Sequence, residues 1–140
     1  MEERTVVLIK PDGVRRNLIG KILTRLEEEG MKIVALKMIR LSPETAKKFY
    51  EVHKERPFFS SLCEYMTSGP IVSLVVEGEN AIERVRTIMG NTDPKKAEKG
   101  SLRALYGISI EENTIHGSDS PESVKRELPI LFSLMEIFPR

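Results

Sequence analysis

The order of elements in this sequence predicts an α/β fold, an open sheet with helices laid on it, of the split βαβ kind. Two observations carry that prediction. Residues 5–9 (TVVLI) and 71–76 (IVSLVV) are continuous apolar runs rich in β-branched side chains, the composition of strands covered on both faces. After each such run, apolar residues return at helical spacing, so strands and helices follow one another along the chain.

The first strand, 5–9, stops at Lys10-Pro11-Asp12-Gly13, where proline and glycine dictate a turn. Ile19, Ile22, Leu23 and Leu26 then fall on one helical stripe, and Gly30 is placed to stop it. Residues 31–41 (MKIVALKMIRL) return to strand composition. Ser42-Pro43-Glu44 reads as a helix start, a capping serine followed by proline in the first turn. That helix is predicted to run to about Val52, with a second short one after Arg56-Pro57-Phe58-Phe59. The strand at 71–76 ends at Glu77-Gly78, and Ile82, Val85, Ile88 and Met89 define the next helical stripe, terminated by Gly90. Residues 91–100 (NTDPKKAEKG) are polar and turn-rich, a surface loop. A last, edge-like strand is expected at 113–116, and Ser120-Pro121-Glu122 starts another helix. The tail LPILFSLMEIF is apolar enough to pack back on the body. With no repeat, low-complexity tract or linker, residues 1–140 are expected to form a single domain.

Charge narrows the function classes. Twenty-two Lys and Arg against twenty-one Asp and Glu leave a net charge of +1, so no overall field draws the chain to nucleic acid or membrane. One cysteine, Cys63, excludes an intramolecular disulfide and most cysteine-based zinc sites, and reads as a small buried hydrophobe. The N-terminus carries no secretory pattern and no apolar run reaches membrane-spanning length, which makes a cytoplasmic protein the expectation.

Several residues bear on chemistry. Gly13 and Gly20-Lys21 tempt a phosphate-loop reading, but six residues separate the glycines and Ile22 follows the lysine, so the pattern fails twice. Phosphate would then be met by scattered cations: Lys10 at the end of a buried strand, Arg86 at the margin of an apolar stripe, and Arg103 after the turn-rich loop. Each also reads as an ordinary solvated charge. Phe58 and Phe59 follow a helix break and cannot both face one core direction; either one ring is a stacking platform or both cap the core. His116 lies in Asn113-Thr114-Ile115-His116-Gly117-Ser118-Asp119-Ser120 (NTIHGSDS). Gly117 permits a close approach or an unusual backbone angle. Ser118 is free to bond a neighbour, and Glu127 lies about two turns into the following helix. A Ser-His-carboxylate hydrolase triad is one reading, yet no strained nucleophile turn surrounds Ser118. The better arrangement makes His116 the nucleophile, with the carboxylate orienting its ring and fixing its tautomer.

These segments closely resemble the nucleoside diphosphate kinase family, over essentially the whole length and in order: Ile9-Lys10-Pro11-Asp12-Gly13-Val14, Arg56-Pro57-Phe58-Phe59, Met66-Thr67-Ser68-Gly69-Pro70, Gly90-Asn91-Thr92-Asp93-Pro94 and the His116 motif. The resemblance implies a ferredoxin-like α/β sandwich, a four-stranded antiparallel sheet covered by helices. It also implies ping-pong transfer of the γ-phosphoryl group of ATP and other nucleoside triphosphates to diphosphates through a phosphohistidine. His116 becomes the nucleophile, with Ser118 and Glu127 holding its ring. Lys10, Tyr50, Arg86, Thr92, Arg103 and Asn113 become contacts to phosphates and sugar. Phe58 becomes the base-stacking ring, with Leu62 and Ile110 beside the base. Mg²⁺ would arrive with the nucleotide, with no protein metal cage, and no specific nucleic acid is expected as partner. Leu105-Tyr106 departs from the Asp-Phe often seen there, which bears on packing and not on chemistry. The family forms homotetramers or homohexamers, and the end of this chain at Arg140 favours the smaller. A different class of function on the same fold would be a nucleotide-sensing or single-stranded nucleic-acid-binding module, against which the intact His116 and Glu127 argue.

Overall fold

The computed structural model describes residues 2–140. In chain order the elements are β1 (Glu2–Ile9), α1 (Pro11–Arg15), α2 (Ile19–Glu28), β2 (Lys32–Ile39), α3 (Pro43–Phe49), α4 (Phe59–Met66), β3 (Ile71–Glu79), α5 (Ala81–Met89), α6 (Leu102–Tyr106), β4 (Ile115–Gly117) and α7 (Pro121–Leu131). Short 3₁₀ turns occupy Glu51–His53, Pro94–Lys96 and Leu134–Glu136.

The strands form one antiparallel sheet in the order β2-β3-β1-β4. Alternation sends successive side chains to opposite faces. Val6 and Leu8 of β1 therefore join Ala46, Phe49, Leu62, Met66 and Leu131, the core under α3, α4 and α7. Val7 and Ile9 join Ile22, Leu26, Val85, Met89 and Leu102 on the other face, under α2, α5 and α6. This two-sided burial explains why β1 and β3 read as unbroken apolar runs. Serines that expose their hydroxyl to the first free amides start three helices: Ser42 accepts from the Thr45 amide, Ser101 from Ala104 and Ser120 from Ser123.

Some expectations need correction. Proline at the first position and Asp12 in the first turn make residues 11–15 a short helix where a turn was expected. The second strand stops at Ile39, short of 41, and α3 stops at Phe49 with a 3₁₀ turn carrying the chain onward. β4 begins at Ile115, because Thr114 takes a left-handed φ of 76° that no strand accommodates. The tail packs only in part: Phe132 is buried, whereas Leu134 and Met135 are 89% and 88% exposed.

Candidate active site

The sheet register decides where His116 points. It pairs with Leu8, so its imidazole emerges on the face covered by α3 and α7. There the ring meets Phe49 edge-on, centroids 5.2 Å apart, and Tyr50 at 6.3 Å. Glu127, buried on α7, sets its Oε1 2.9 Å from His116 Nε2 and accepts the Ser118 hydroxyl on the same oxygen at 2.8 Å. An ionised carboxylate only accepts, so Nε2 carries the hydrogen and Nδ1 keeps the lone pair. The other carboxylate oxygen accepts from Arg126 Nη2 at 3.3 Å.

A cluster of cations completes this corner, Lys10 and Arg103 buried and Arg86 exposed. Lys10, the residue after β1, donates from Nζ to Asn113 Oδ1 at 2.8 Å and to the Glu111 carbonyl at 3.3 Å. Burial, and then the like charge of Arg103, pull its pKa down to about 8 against partial support from Asp12 and Glu111. Arg103 donates to the Gly90 carbonyl at 3.1 Å and to the Ile115 carbonyl at 2.7 Å, while its Nε is buried without a partner. Burial and the neighbouring Arg86 lower its pKa to about 10. Arg86 in turn donates to the Gly117 carbonyl at 3.3 Å. Asn113 Nδ2 donates to the Thr92 and Ile110 carbonyls, which ties the 91–100 loop to the approach to β4. The Tyr50 hydroxyl is buried without a partner, and burial together with Glu127 pushes its pKa well above the usual phenol range. Orphaned donors and crowded cations, two of them with pKa values lowered by burial and by like charge, make this a site suited to an anion.

The cavity holds about 560 Å³. His116 and the cations line it, and Phe58, Leu62 and Ile110 add apolar wall. The choice left open for the two phenylalanines resolves cleanly: Phe58 is 46% exposed, whereas Phe59 packs against the core. Lys10, Tyr50, Arg86, Thr92, Arg103, Asn113 and Glu127 all line the cavity, and Ser118 lies buried behind Glu127. A larger, open hollow of about 1020 Å³ lies across Arg86, among Arg25, Glu83, Glu98 and Lys99. It lacks His116, Lys10, Arg103 and Phe58, which only the smaller of the two brings together.

Sequence reasoning missed several wall residues, His53 and Arg126 among them. His53 stacks with Tyr50 at 6.5 Å and tilts against Phe58 at 5.4 Å; burial, then Arg56, lowers its pKa. Within the charged run EVHKER it carried no signal. Arg126 was legible only as the neighbour of Glu127. Gly117 serves a close approach, one of the two uses expected of it, and the element that approaches is α5. A Cβ there would lie 2.6 Å from Met89 Sδ and 3.2 Å from Val85 Cγ1. The glycine lets α5 close onto β4, which brings Arg86 to the Gly117 carbonyl.

Comparison with known proteins bears on this geometry. The family model for nucleoside diphosphate kinase matches residues 3–137. The chain belongs to the nucleoside diphosphate kinase family. It is 60% identical over 135 residues to the nucleoside diphosphate kinase of Persephonella marina, covering 96% of each chain. To that of Geobacter sp. strain M21 it is 56% identical, covering 96% of this chain and 98% of the relative. The fold superposes on the Aquifex aeolicus nucleoside diphosphate kinase with a TM-score of 0.96 at 51% identity, covering 98% and 99% of the two chains. It does so equally well on a Halobacterium salinarum nucleoside diphosphate kinase in complex with CDP, TM-score 0.96 at 42% identity, covering 100% and 93%. The activity of the family is phosphoryl transfer between nucleotides, and this chain is such a phosphotransferase. The family uses nucleoside tri- and diphosphates with a divalent cation. Among the described residues no helix is long and apolar enough to cross a membrane.

Proposed function

We propose that His116 takes the γ-phosphoryl group on Nδ1 and passes it to a second nucleotide. The observation that carries this is the Glu127 carboxylate on Nε2, which leaves the Nδ1 lone pair as the free nucleophile. In the first half-reaction that pair attacks the γ-phosphorus, the bond to the β-phosphate oxygen breaks, and the diphosphate departs with its electrons. The Nε2 proton stays on the ring, where Glu127 balances the new positive charge. In the second half-reaction a terminal oxygen of an incoming diphosphate attacks the same phosphorus and the N–P bond breaks, restoring the neutral imidazole. Such transfer needs positioning and cationic charge on the equatorial oxygens. Lys10, Arg86 and Arg103 supply the charge, and the unpartnered Tyr50 hydroxyl and Arg103 Nε have bonding capacity to give. Thr92 and Asn113 serve phosphate and sugar, while Phe58, Leu62 and Ile110 hold the base.

Mg²⁺ is the divalent cation of this reading, bound to the nucleotide phosphates, whose charge it offsets. The donor set fits that: Lys10, Arg86, Arg103 and Arg126 line the cavity beside the carboxylates of Glu111, Asp119 and Glu127, and Asp119, whose pKa is lowered first by its bond from Ser123, takes its side-chain bonds on one oxygen and keeps the other to spare. The CDP carried by the Halobacterium salinarum protein supports acceptance of pyrimidine as well as purine diphosphates. The reading extends to a single domain over 1–140, cytoplasmic, where a free buried Cys63 stays reduced. It extends also to a homotetramer or homohexamer, supported by the exposed Leu36, Met38, Leu134, Met135 and Phe138. Nothing favours the sensing or single-strand-binding alternative.

Incubation with γ-labelled ATP and Mg²⁺ without acceptor tests the core of this. The label should be acid-labile and base-stable, recovered as the Nδ1 isomer, and discharged by any added diphosphate. His116→Ala should take up none. A fully labelled variant, or label on Nε2, would refute the assignment.

A further inference from the structure

Behind His116 lies a buried carboxylate that the reaction does not use. Asp12, wholly buried, accepts the Thr114 hydroxyl on Oδ2 at 2.8 Å, the Thr114 amide on Oδ1 at 3.3 Å, and the Tyr65 hydroxyl on Oδ1. Its own amide donates to Tyr65 Oη at 3.0 Å, and Arg16 Nη1 lies 3.7 Å from Oδ2. The carboxylate thus joins α1, the chain before β4 and helix α4.

What it grips is unusual. Thr114 has φ 76°, a conformation that β-branched residues avoid and that persists only where neighbours enforce it. Asp12 binds both its amide and its hydroxyl, and the Lys10 amide donates to its carbonyl at 2.8 Å. Gly13 lets the turn close, since a Cβ there would lie 3.1 Å from Thr114 Cγ2 and 3.3 Å from its carbonyl oxygen.

The left-handed residue has a use. In a straight strand, residues three apart face opposite sides. Asn113 and His116 are three apart, yet both line the same cavity. The reversal at Thr114 makes that possible. We infer that Asp12 is a positioning residue: by holding Thr114 left-handed it aims Asn113, with Lys10 bonded to it, and His116 at one substrate. The inference rests on the phosphotransfer reading.

The test compares Asp12→Ala, Asp12→Asn, Thr114→Gly and the Asp12→Ala/Thr114→Gly double variant. It measures single-turnover phosphorylation of His116 by Mg-ATP and the KM for ADP. Misplacing a reacting group by about an ångström costs roughly 10²-fold, so Asp12→Ala should lose about that in rate with KM within about threefold. In Asp12→Asn the new side-chain amide would still accept from the Thr114 backbone amide. It would also donate to the Thr114 hydroxyl, which can turn to the Tyr106 carbonyl at 3.2 Å. Asp12→Asn should therefore stay within about threefold of wild type. Glycine adopts a left-handed φ freely, so Thr114→Gly should be nearly as fast, and in the double variant should recover at least about tenfold of the lost rate. A folded Asp12→Ala at the wild-type rate would overturn the inference, as would a glycine that recovers nothing. Should Asp12→Ala not fold, Asp12→Asn decides. A loss there as deep as 10²-fold would mean that the charge of Asp12, which supports protonated Lys10, is what matters. Wild type labelled in parallel keeps failure of the phosphotransfer reading separate: in that case nothing is labelled at all.

Discussion

Lys10→Met should weaken the enzyme's chemistry while leaving the fold as stable as before, or more so. Lys10 is only 6% exposed, and its pKa falls from 10.5 to about 8, first through burial. At about 1.4 kcal/mol per tenfold, that fall means its charge opposes folding by about 3 kcal/mol at neutral pH. Methionine removes this penalty but leaves Asn113 Oδ1, a buried acceptor, without its donor, which costs about 1–3 kcal/mol. The net should lie between zero and about 2 kcal/mol in favour of the variant. The sign with pH follows. Below about 8 the lysine is charged both folded and unfolded, and the penalty is complete. Between about 8 and 10.5 the unfolded chain holds a proton that the folded chain has shed, so wild-type stability rises with pH. Urea denaturation of both proteins at pH 7 and pH 10, at equal protomer concentration, should show wild type regaining most of the difference at the higher pH. In the coupled assay Lys10→Met should lose about 10²–10³ in kcat. The wild-type kcat/KM should fall above about pH 8, a limb absent from the variant. A variant several kcal/mol less stable at both pH values would refute the reasoning and make Lys10 a structural residue.

Glu127→Gln keeps an acceptor for Nε2 but removes the charge that balances the phosphorylated ring. It should slow labelling by about 10² with KM for ADP nearly unchanged, and a large loss of affinity at full rate would contradict the role. Gly117→Ala should drive a methyl into Met89 Sδ and destabilise the protein by about 1–3 kcal/mol, read as a lower denaturation midpoint; Met89→Ala in the same chain should relieve part of it. A panel of ADP, GDP, CDP, UDP and their deoxy forms should span no more than about two decades in kcat/KM, because stacking on Phe58 is worth roughly 1–3 kcal/mol for any base. A preference near 10⁴ for one diphosphate would expose a base-edge reader missed here.

The strands and long helices were legible because burial on both faces, or on one stripe, leaves a periodic trace in composition. β1, β3, α2 and α5 lie where that trace put them, within a few residues. What the trace could not carry is geometry at single residues. Thr114 reads as strand, since nothing local betrays a φ imposed by Asp12 from more than a hundred residues away. Helix α6, five residues directly after a turn-rich loop, is too short to show a period. His116, Ser118 and Glu127 stood out locally, whereas Tyr50, Leu62, Thr92, Ile110 and Asn113 came from motif resemblance alone, and Lys10, Arg86 and Arg103 each read also as ordinary surface charges. His53 had no signal, because its place between Tyr50 and Phe58 exists only once the 3₁₀ turn is formed. Gly117 was singled out for a close approach, but nothing local named α5 as what approaches.

The pairing of β4 with β1 has a consequence for the life of the polypeptide. Lys10 and Asn113 are 103 residues apart in the chain, and His116 lies opposite Leu8 at the sheet's edge. A nascent or partly unfolded chain therefore has the histidine but neither the cations nor the carboxylate that give it a nucleophilic face. Nearly the whole sequence must emerge and fold before β4 can dock, and such distant pairings are slow to form. Competence for phosphorylation is thus a late certificate of maturation, withheld from truncated or damaged copies. Nucleotide held there, as proposed, would steady the entire domain by mass action, because the cavity wall is drawn from both ends of the chain.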